Sequence, residues 1–492
     1  MKRYILAIDE GTTSERVALF DTSINKIIDS HSLKITQYYP KESWVEQDAN
    51  EIWNNVKSSL ETIIKKHKLT QDDVIGIGIT NQRETTVAWN KASGLAVTKA
   101  IVWQCKRTES YCSGLPAKTK ELIKQKTGLV VDSYFSATKM RWLLSNDKDV
   151  KKSAKDGALA LGTMDSFLVY KLTGGKTFAT DTTNASRTML VDISSPFNYD
   201  EDLLKLFDIN KSFLPEIKNS ADNYGLAKTI IGDIPILSVI GDQQSSLIGQ
   251  GCIETGKAKI TYGTGGFLLV NSGLNLLKNN NLTLNTVAYS ISGTTTYAIE
   301  GSIFNVGSTL EYLKNTLNLF DSYANLDNIC KQAGSDQVYF LPAFSGLGAP
   351  YWSGSVKAGI YGLTLGTEKA DIVKSAIESF ALIVADISRY LSSLGIKIKQ
   401  LSADGGVSKC NYLLEFQSAI LGCNVVRMAE SESTSLGAIF LAGLQAGTYH
   451  KLNEISRMAI PATTFSPKAT KLKASKRLAE WDKFVMSTLS NN

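Results

Sequence analysis

The octapeptide Asp9-Glu10-Gly11-Thr12-Thr13-Ser14-Glu15-Arg16 gathers carboxylates, three hydroxyls and a cation around one Gly-Thr turn. Apolar runs flank it, Tyr4 to Ile8 before and Val17 to Phe20 after, so the segment reads as a β-hairpin with a polar tip. Backbone N–H groups and hydroxyls at such a tip suit phosphate oxygens. The leading carboxylate, Asp9, suits a hard cation. Gly-Thr turns also close ordinary hairpins, and one copy does not separate the two readings. A second copy favours chemistry: Lys259-Ile260-Thr261-Tyr262-Gly263-Thr264-Gly265-Gly266-Phe267-Leu268-Leu269-Val270 again sets Gly-Thr between two β-rich runs. The repeat, about half a chain away, predicts two related halves. A third turn, Ser402-Ala403-Asp404-Gly405-Gly406, precedes the helical pattern Tyr412, Leu413, Phe416, Ile420, Leu421. A Gly-Gly turn before a helix permits close approach to its backbone and favours anions. Together the three turns point to a nucleotide gripped between two lobes.

Two further strings sit where open α/β sheets place ligands, at the C-terminal ends of strands. Asn81-Gln82-Arg83-Glu84-Thr85 follows the run Val74 to Thr80, whose glycines signal close backbone approach. Arg83 and Glu84 could clamp a small polyol between guanidinium donors and a carboxylate acceptor, or form a plain ion pair at a strand end. Gly241-Asp242-Gln243-Gln244 follows Ile234 to Ile240. Asp242 could accept a hydroxyl proton as a general base, or cap the next helix. Other chemistries are excluded. Thr173-Gly174-Gly175-Lys176-Thr177 lacks the first glycine of a P-loop, Tyr170 standing there, and reads as a turn between strands. Gly406-Val407-Ser408-Lys409-Cys410 fails the nucleophile-elbow pattern at its last position. The three histidines, His31, His67 and His450, have no nucleophile beside them in sequence.

The elements that must position these residues alternate along the chain. A helix is expected from Asp48 through about Lys66, with Ile52, Val56, Leu60, Ile63 and Ile64 on one face. Short strands are expected at Val87 to Trp89 and Ala100 to Trp103, and a helix from Thr138. A domain boundary is expected near Gly249-Gln250-Gly251-Cys252, dividing the chain into residues 1–250 and 251–492. Asp371 to Leu394 reads as a long amphipathic helix, and Ser435 to Ala446 as a small-residue helix packed tightly on a neighbour. A final helix is expected over Leu472 to Leu489.

A length of 492 residues exceeds one ordinary core, and 43% hydrophobic with 20% charged residues describes a folded, soluble chain. A net charge of +6 with dispersed lysines gives no nucleic-acid surface. No apolar run approaches membrane-spanning length. Six cysteines without metal-ligand spacing, and a start too short for a signal peptide, predict a reducing, cytoplasmic setting.

These strings, with Trp103-Gln104-Cys105-Lys106-Arg107-Thr108, Thr180-Asp181-Thr182-Thr183-Asn184-Ala185-Ser186-Arg187-Thr188 and Pro342-Ala343-Phe344-Ser345-Gly346-Leu347-Gly348-Ala349-Pro350-Tyr351-Trp352, run through nearly the whole chain. The chain resembles the carbohydrate kinases built on the actin and Hsp70 ATPase fold. The Asn-Gln-Arg-Glu string is similar to that of the glycerol kinases among them. The resemblance implies an α/β fold of two actin-like, ribonuclease H-like lobes, with a nucleotide and substrate cleft between them. It implies glycerol held by Arg83, Glu84, Tyr134, Asp242 and Gln243, with Trp103 and Phe267 against its carbon edge. Asp242 would be the general base, and Asp9 would place Mg²⁺. Thr12, Thr13, Ser14 and Arg16 would meet the phosphates of ATP from one lobe and Thr264 from the other. Gly307, Glu311, Gly406 and Cys410 match nucleotide-side positions.

Two positions depart from the family pattern: Cys410 stands where Asn is usual, and Glu311 where Gln is common. The shortened stretch Tyr224 to Ile240 lacks the loop linked to fructose bisphosphate inhibition, and no His is present for phosphotransferase control, so neither control is expected. Relatives are often dimers or tetramers, which makes a homo-oligomer the expectation. The rival readings are a kinase of another polyol or sugar on the same fold, and a non-catalytic actin-like nucleotide switch.

Overall fold

The computed structural model describes residues 3–278, 280–429, 432–467 and 471–490. The chain forms two compact units, each with its own apolar core. The first holds 1–251, 285–297 and 432–458; the second holds 252–284, 298–431 and 459–492. A cut beside Gly251 therefore accounts for only part of the division, because two segments of the C-terminal half complete the first unit.

The first unit is built on a mixed sheet in the order Leu226–Thr229, Gly232–Gly241, Val74–Asn81, Tyr4–Glu10, Ser14–Asp21, Lys26–Lys34. Tyr4–Glu10, Val74–Asn81 and Gly232–Gly241 are parallel, Ser14–Asp21 pairs antiparallel with Tyr4–Glu10, and Lys26–Lys34 pairs antiparallel with Ser14–Asp21. Register aligns Glu10 with Asn81 and Asn81 with Gly241. The polar strings that follow these strands thus leave the sheet from one edge and at one level. Helix Ala49–Lys66 covers one face, burying Ile52, Val56, Leu60, Ile63 and Ile64. Its cap is Asp48, whose carboxylate accepts from the N–H of Asn50 and Glu51.

Helix Ser433–Gln445 covers the opposite face, lying against helix Asp242–Gly249. Glycines make that contact possible. A Cβ on Gly437 would lie 1.9 Å from the Ser245 carbonyl oxygen, and one on Gly249 1.9 Å from that of Ser433. Gly78 in the sheet is equally constrained, 2.5 Å from the Ala438 carbonyl oxygen. A smaller sheet in the same unit runs Glu46–Gln47, Ala100–Ile101, Thr86–Asn90, Leu159–Thr163.

The second unit repeats the central arrangement. Lys257–Tyr262 and Gly266–Gly273 form a hairpin, and Gln400–Asp404 and Asn424–Met428 follow parallel beside the first of these strands. Pro461–Phe465 closes that edge antiparallel. The long helix Lys369–Ser393 carries much of the core, with a capping box between Glu368 and Asp371. The turn at Thr173 to Thr177 joins helix Met164–Leu172 to strand Ala179–Asp181, rather than two strands. Gly174 and Gly175 there both have left-handed φ, 63° and 82°.

Gly437→Ala should force two helix backbones apart, at about 1–3 kcal/mol. Thermal unfolding should show a Tm several degrees lower. Gly354→Ala, where a Cβ meets nothing within 4 Å, is the control and should leave Tm unchanged. Asp165 is a second test. It is fully buried, accepts from Thr180 Oγ1 at 2.6 Å, and burial pushes its carboxyl up to about 7. The folded state then holds more protons than the unfolded state between about pH 4 and 7. Its contribution to stability falls as pH rises through that window, on the order of 1 kcal/mol per pH unit. The Tm of Asp165→Asn relative to wild type should therefore rise from pH 5 to pH 8, and a flat difference would remove Asp165 as an acid held neutral.

Candidate active site

In the first unit, Arg83, Glu84 and Asp242 follow the two aligned strand ends directly. Arg83 is 3% exposed and lies across Gly241, where a Cβ would come within 2.8 Å of its Cγ. Its Nε stands 3.4 Å from Asp242 Oδ1 and 3.8 Å from Glu84 Oε1. Its other nitrogens donate to Tyr134 Oη at 3.3 Å and Gln244 Oε1 at 3.4 Å. Glu84 is buried and adopts φ 62°, rare for a residue with a side chain. Its Oε1 accepts from Arg187 Nε at 2.6 Å.

Trp103 and Tyr134 meet edge to face, with centroids 5.6 Å apart. Beneath them Lys139 is fully buried and donates to the carbonyls of Tyr134 and Phe135. Burial pushes its ammonium down to about 8, with the nearby Glu84 acting against that shift. Asp242 opens helix Asp242–Gly249 with its side chain 28% exposed. It accepts from its neighbour Gln243 through N–H at 2.8 Å and Nε2 at 3.1 Å. An accessible carboxylate beside a buried guanidinium, a buried carboxylate and two aromatic rings can hold a small hydroxylated molecule.

The hairpin tip Gly11–Thr13 is held from behind by its carbonyls. Thr12 O accepts from Gln37 Nε2 at 2.5 Å and Gln47 Nε2 at 2.6 Å, and Thr13 O from Ile35 N–H at 3.0 Å. Thr12 Oγ1 accepts from Trp103 Nε1 at 3.0 Å. With the carbonyls turned inward, the N–H groups of Thr12 and Thr13 have no partner among the described residues. That is the polarity of an anion-binding tip. Gln47 in turn accepts from Gln82 Nε2 at 2.8 Å, which also donates to Glu10 Oε1 at 2.6 Å. Burial holds the Glu10 carboxyl well above the ordinary range.

Asp9 pairs across the hairpin with Arg16, and its Oδ2 accepts from Ser435 Oγ at 3.1 Å. Burial pushes Asp9 up to about 6. Arg16 forms an ion pair with Glu432. Among the described residues no group of three or more His, Cys, Asp and Glu could hold a metal ion. The donor set here is one carboxylate beside a hydroxyl. It fits a hard divalent cation that takes most of its oxygen ligands from phosphate and water.

In the second unit, the tip around Thr264 is joined to helix Gly307–Asn315. Val306 and Ser308 donate to Thr264 O at 3.0 and 3.3 Å, and Gly307 N–H to Gly263 O at 2.9 Å. A Cβ on Gly307 would lie 2.7 Å from the Gly263 carbonyl oxygen. Glu311 is exposed one turn further along that helix. Gly405 (φ 86°) packs on the backbone of Tyr262, 2.4 Å from its carbonyl oxygen to an added Cβ, and leaves Gly406 exposed. The structure thus gathers Thr264, Gly307 and Gly406 around the second hairpin. Phe267 is half-buried on the outgoing hairpin strand.

Cys410, expected on the nucleotide side, has its side chain turned inward. The residue is 5% exposed and belongs to the second core, and its thiol lies 3.5 Å from Asp327 Oδ1. The side chain at this position faces the interior, so a ligand there would meet backbone rather than sulfur. Sequence reading also left Gln37, Gln47, Ser435 and Arg187 without roles. Only Arg187 carried a signal, as a cation inside a segment already singled out.

The chain is similar to known proteins over nearly its full length. Residues 4–249 match the N-terminal domain, and residues 258–446 the C-terminal domain, of the FGGY family of carbohydrate kinases. The chain is 42% identical to a glycerol kinase of Mycoplasmoides gallisepticum, over 99% of this chain and 98% of that one. It is 43% identical to a glycerol kinase of Fusobacterium nucleatum, over 99% of both. The crystal structure of Plasmodium falciparum glycerol kinase with ADP superposes with a TM-score of 0.93 at 37% identity, covering 99% of this chain and 98% of that one. A ligand-bound xylulose kinase from Lactobacillus acidophilus, 22% identical over 98% of both chains with a TM-score of 0.87, shares the fold. With both halves matched and its full length shared at this identity, the chain belongs to the FGGY family of carbohydrate kinases, in the glycerol kinase branch.

Proposed function

We propose that the chain transfers the γ-phosphoryl group of ATP to a terminal hydroxyl of glycerol, giving sn-glycerol 3-phosphate and ADP. The observation that carries this reading is the Arg83–Glu84 pair set beside an accessible Asp242 at aligned strand ends. In this reading Arg83 and Tyr134 donate to glycerol hydroxyls and Glu84 accepts, with Gln243 beside them. Trp103 and Phe267 pack on the carbon edge. The Asp242 carboxylate takes the proton of the attacking hydroxyl as its oxygen bonds to the γ-phosphorus. The bond from that phosphorus to the bridging oxygen breaks, and ADP leaves with the electron pair.

Phosphoryl transfer asks a protein chiefly for positioning and charge stabilisation. The N–H groups and hydroxyls of Thr12, Thr13 and Ser14, with Arg16, supply these from the first hairpin, and Thr264 from the second. Gly307, Glu311, Gly406 and the Cys410 backbone complete the nucleotide side. Asp9 would hold Mg²⁺, which when bound neutralises phosphate charge. Cytoplasmic location and assembly as a dimer or tetramer belong to the same proposal and rest on the family alone. No helix among the described residues is long and apolar enough to cross a membrane.

ADP release from Mg·ATP should be stimulated strongly by glycerol and weakly by xylulose, erythritol or dihydroxyacetone. Preference for one of the others would overturn the substrate, and ATP binding without any stimulation would favour a nucleotide switch. Asp242→Asn should lower kcat by about 10²-fold or more while glycerol still binds; near-normal turnover would remove the base. Arg83→Ala should raise the glycerol KM by roughly 10–100-fold, as expected for losing charge-assisted hydrogen bonds. Thr264→Ala should raise the KM for ATP more than that for glycerol, and the reverse pattern would count against a phosphate contact.

A further inference from the structure

The segment Thr180–Thr188 is polar at every position except Ala185, yet all nine residues are at most 5% exposed. Burying so many polar side chains is costly unless each is hydrogen-bonded. The partners here belong to the site. Asp181 caps the short helix Thr182–Ala185 and accepts from Thr183 Oγ1 at 2.8 Å. Thr183 Oγ1 in turn accepts from Gly241 N–H at 2.9 Å, on the residue directly before Asp242. Asn184 and Asn81 exchange two amide hydrogen bonds of 3.0 Å each, where Asn81 ends the strand that leads to Arg83 and Glu84. Arg187 donates to Glu84, and its guanidinium lies 5.5 Å and 5.1 Å from the ring centroids of Tyr134 and Phe135. Thr188 O accepts from Ala137 N–H at 2.8 Å, at the start of the helix that follows Tyr134.

We propose that this segment fixes the relative placement of base and clamp, with Thr183, Asn184 and Arg187 as positioning residues for phosphoryl transfer to the polyol. The inference rests on the polyol-kinase reading above. Thr183 sets the backbone that carries Asp242, so it governs proton removal. Arg187 holds the Glu84 carboxyl in place through its 2.6 Å hydrogen bond, so it governs acceptor binding. One segment thereby acts on two kinetic quantities through two side chains that touch neither glycerol nor ATP.

The test is steady-state kinetics on the full chain, with thermal unfolding alongside. Thr183→Val keeps the shape and removes the hydroxyl; kcat should fall about tenfold or more with glycerol KM within twofold of wild type. Arg187→Met should raise the glycerol KM at least tenfold with the ATP KM within twofold, and Arg187→Lys should recover part of that loss. A purely structural role would lower Tm and the active fraction without this split. Should Arg187→Met not fold, Thr183→Val with Arg187→Lys still decides. Folded variants with wild-type kcat and glycerol KM, or with both KM values moved equally, overturn the inference while leaving the kinase reading intact. Absence of glycerol-stimulated turnover in the wild type overturns both.

Discussion

The register of three parallel strands is the constraint on which the first unit depends. Glu10, Asn81 and Gly241 stand level, so the residues that follow converge without any long loop to bring them together. A slip of one residue in either pairing would turn alternate side chains to the opposite face. It would also separate Arg83 from Asp242. Rigid strands give finer placement than loops, and here the loops are short because the strands have done the placing.

That register is itself secured by features with little value in isolation. Gly78 and Gly437 let a helix backbone lie directly on the sheet and on its neighbour. Gly241 makes room for the stem of Arg83. Glu84 accepts a left-handed backbone conformation costing of order 1–3 kcal/mol, offset by its bond to Arg187 and by Thr86 and Ser136 hydroxyls on its carbonyl. Strain at Glu84, close approach at Gly241 and the buried charge of Arg83 meet where the chemistry is expected, and the surrounding core supplies the stability they cost.

Much of this was legible in the sequence because it is local. Both Gly-Thr hairpins, helix Ala49–Lys66, the buried strand Val74–Asn81 and the polar strings at strand ends can be read from a dozen residues each. The small-residue pattern at 435–446 announced a tight helix contact without naming the partner. What could not be read depends on pairing between distant residues. Arg187 meets Glu84 across 103 positions and Ser435 meets Asp9 across 426, and no periodicity records either. Cys410 shows the same limit: the resemblance placed it on the nucleotide side, and only the structure shows its thiol turned toward Asp327 at the start of helix Asn411–Leu421.

The division of the chain has a consequence for how it is made. Helix Ser433–Gln445 is part of the first unit, while most of the second unit is encoded between that helix and Gly251. During synthesis the first sheet therefore emerges with one face bare, and its covering helix arrives roughly 200 residues later, about 10–40 s at ordinary elongation rates. The nascent N-terminal half must survive that interval unfinished, exposed to chaperones and proteases. Completion of its fold reports that the intervening segments of the second unit have already been made.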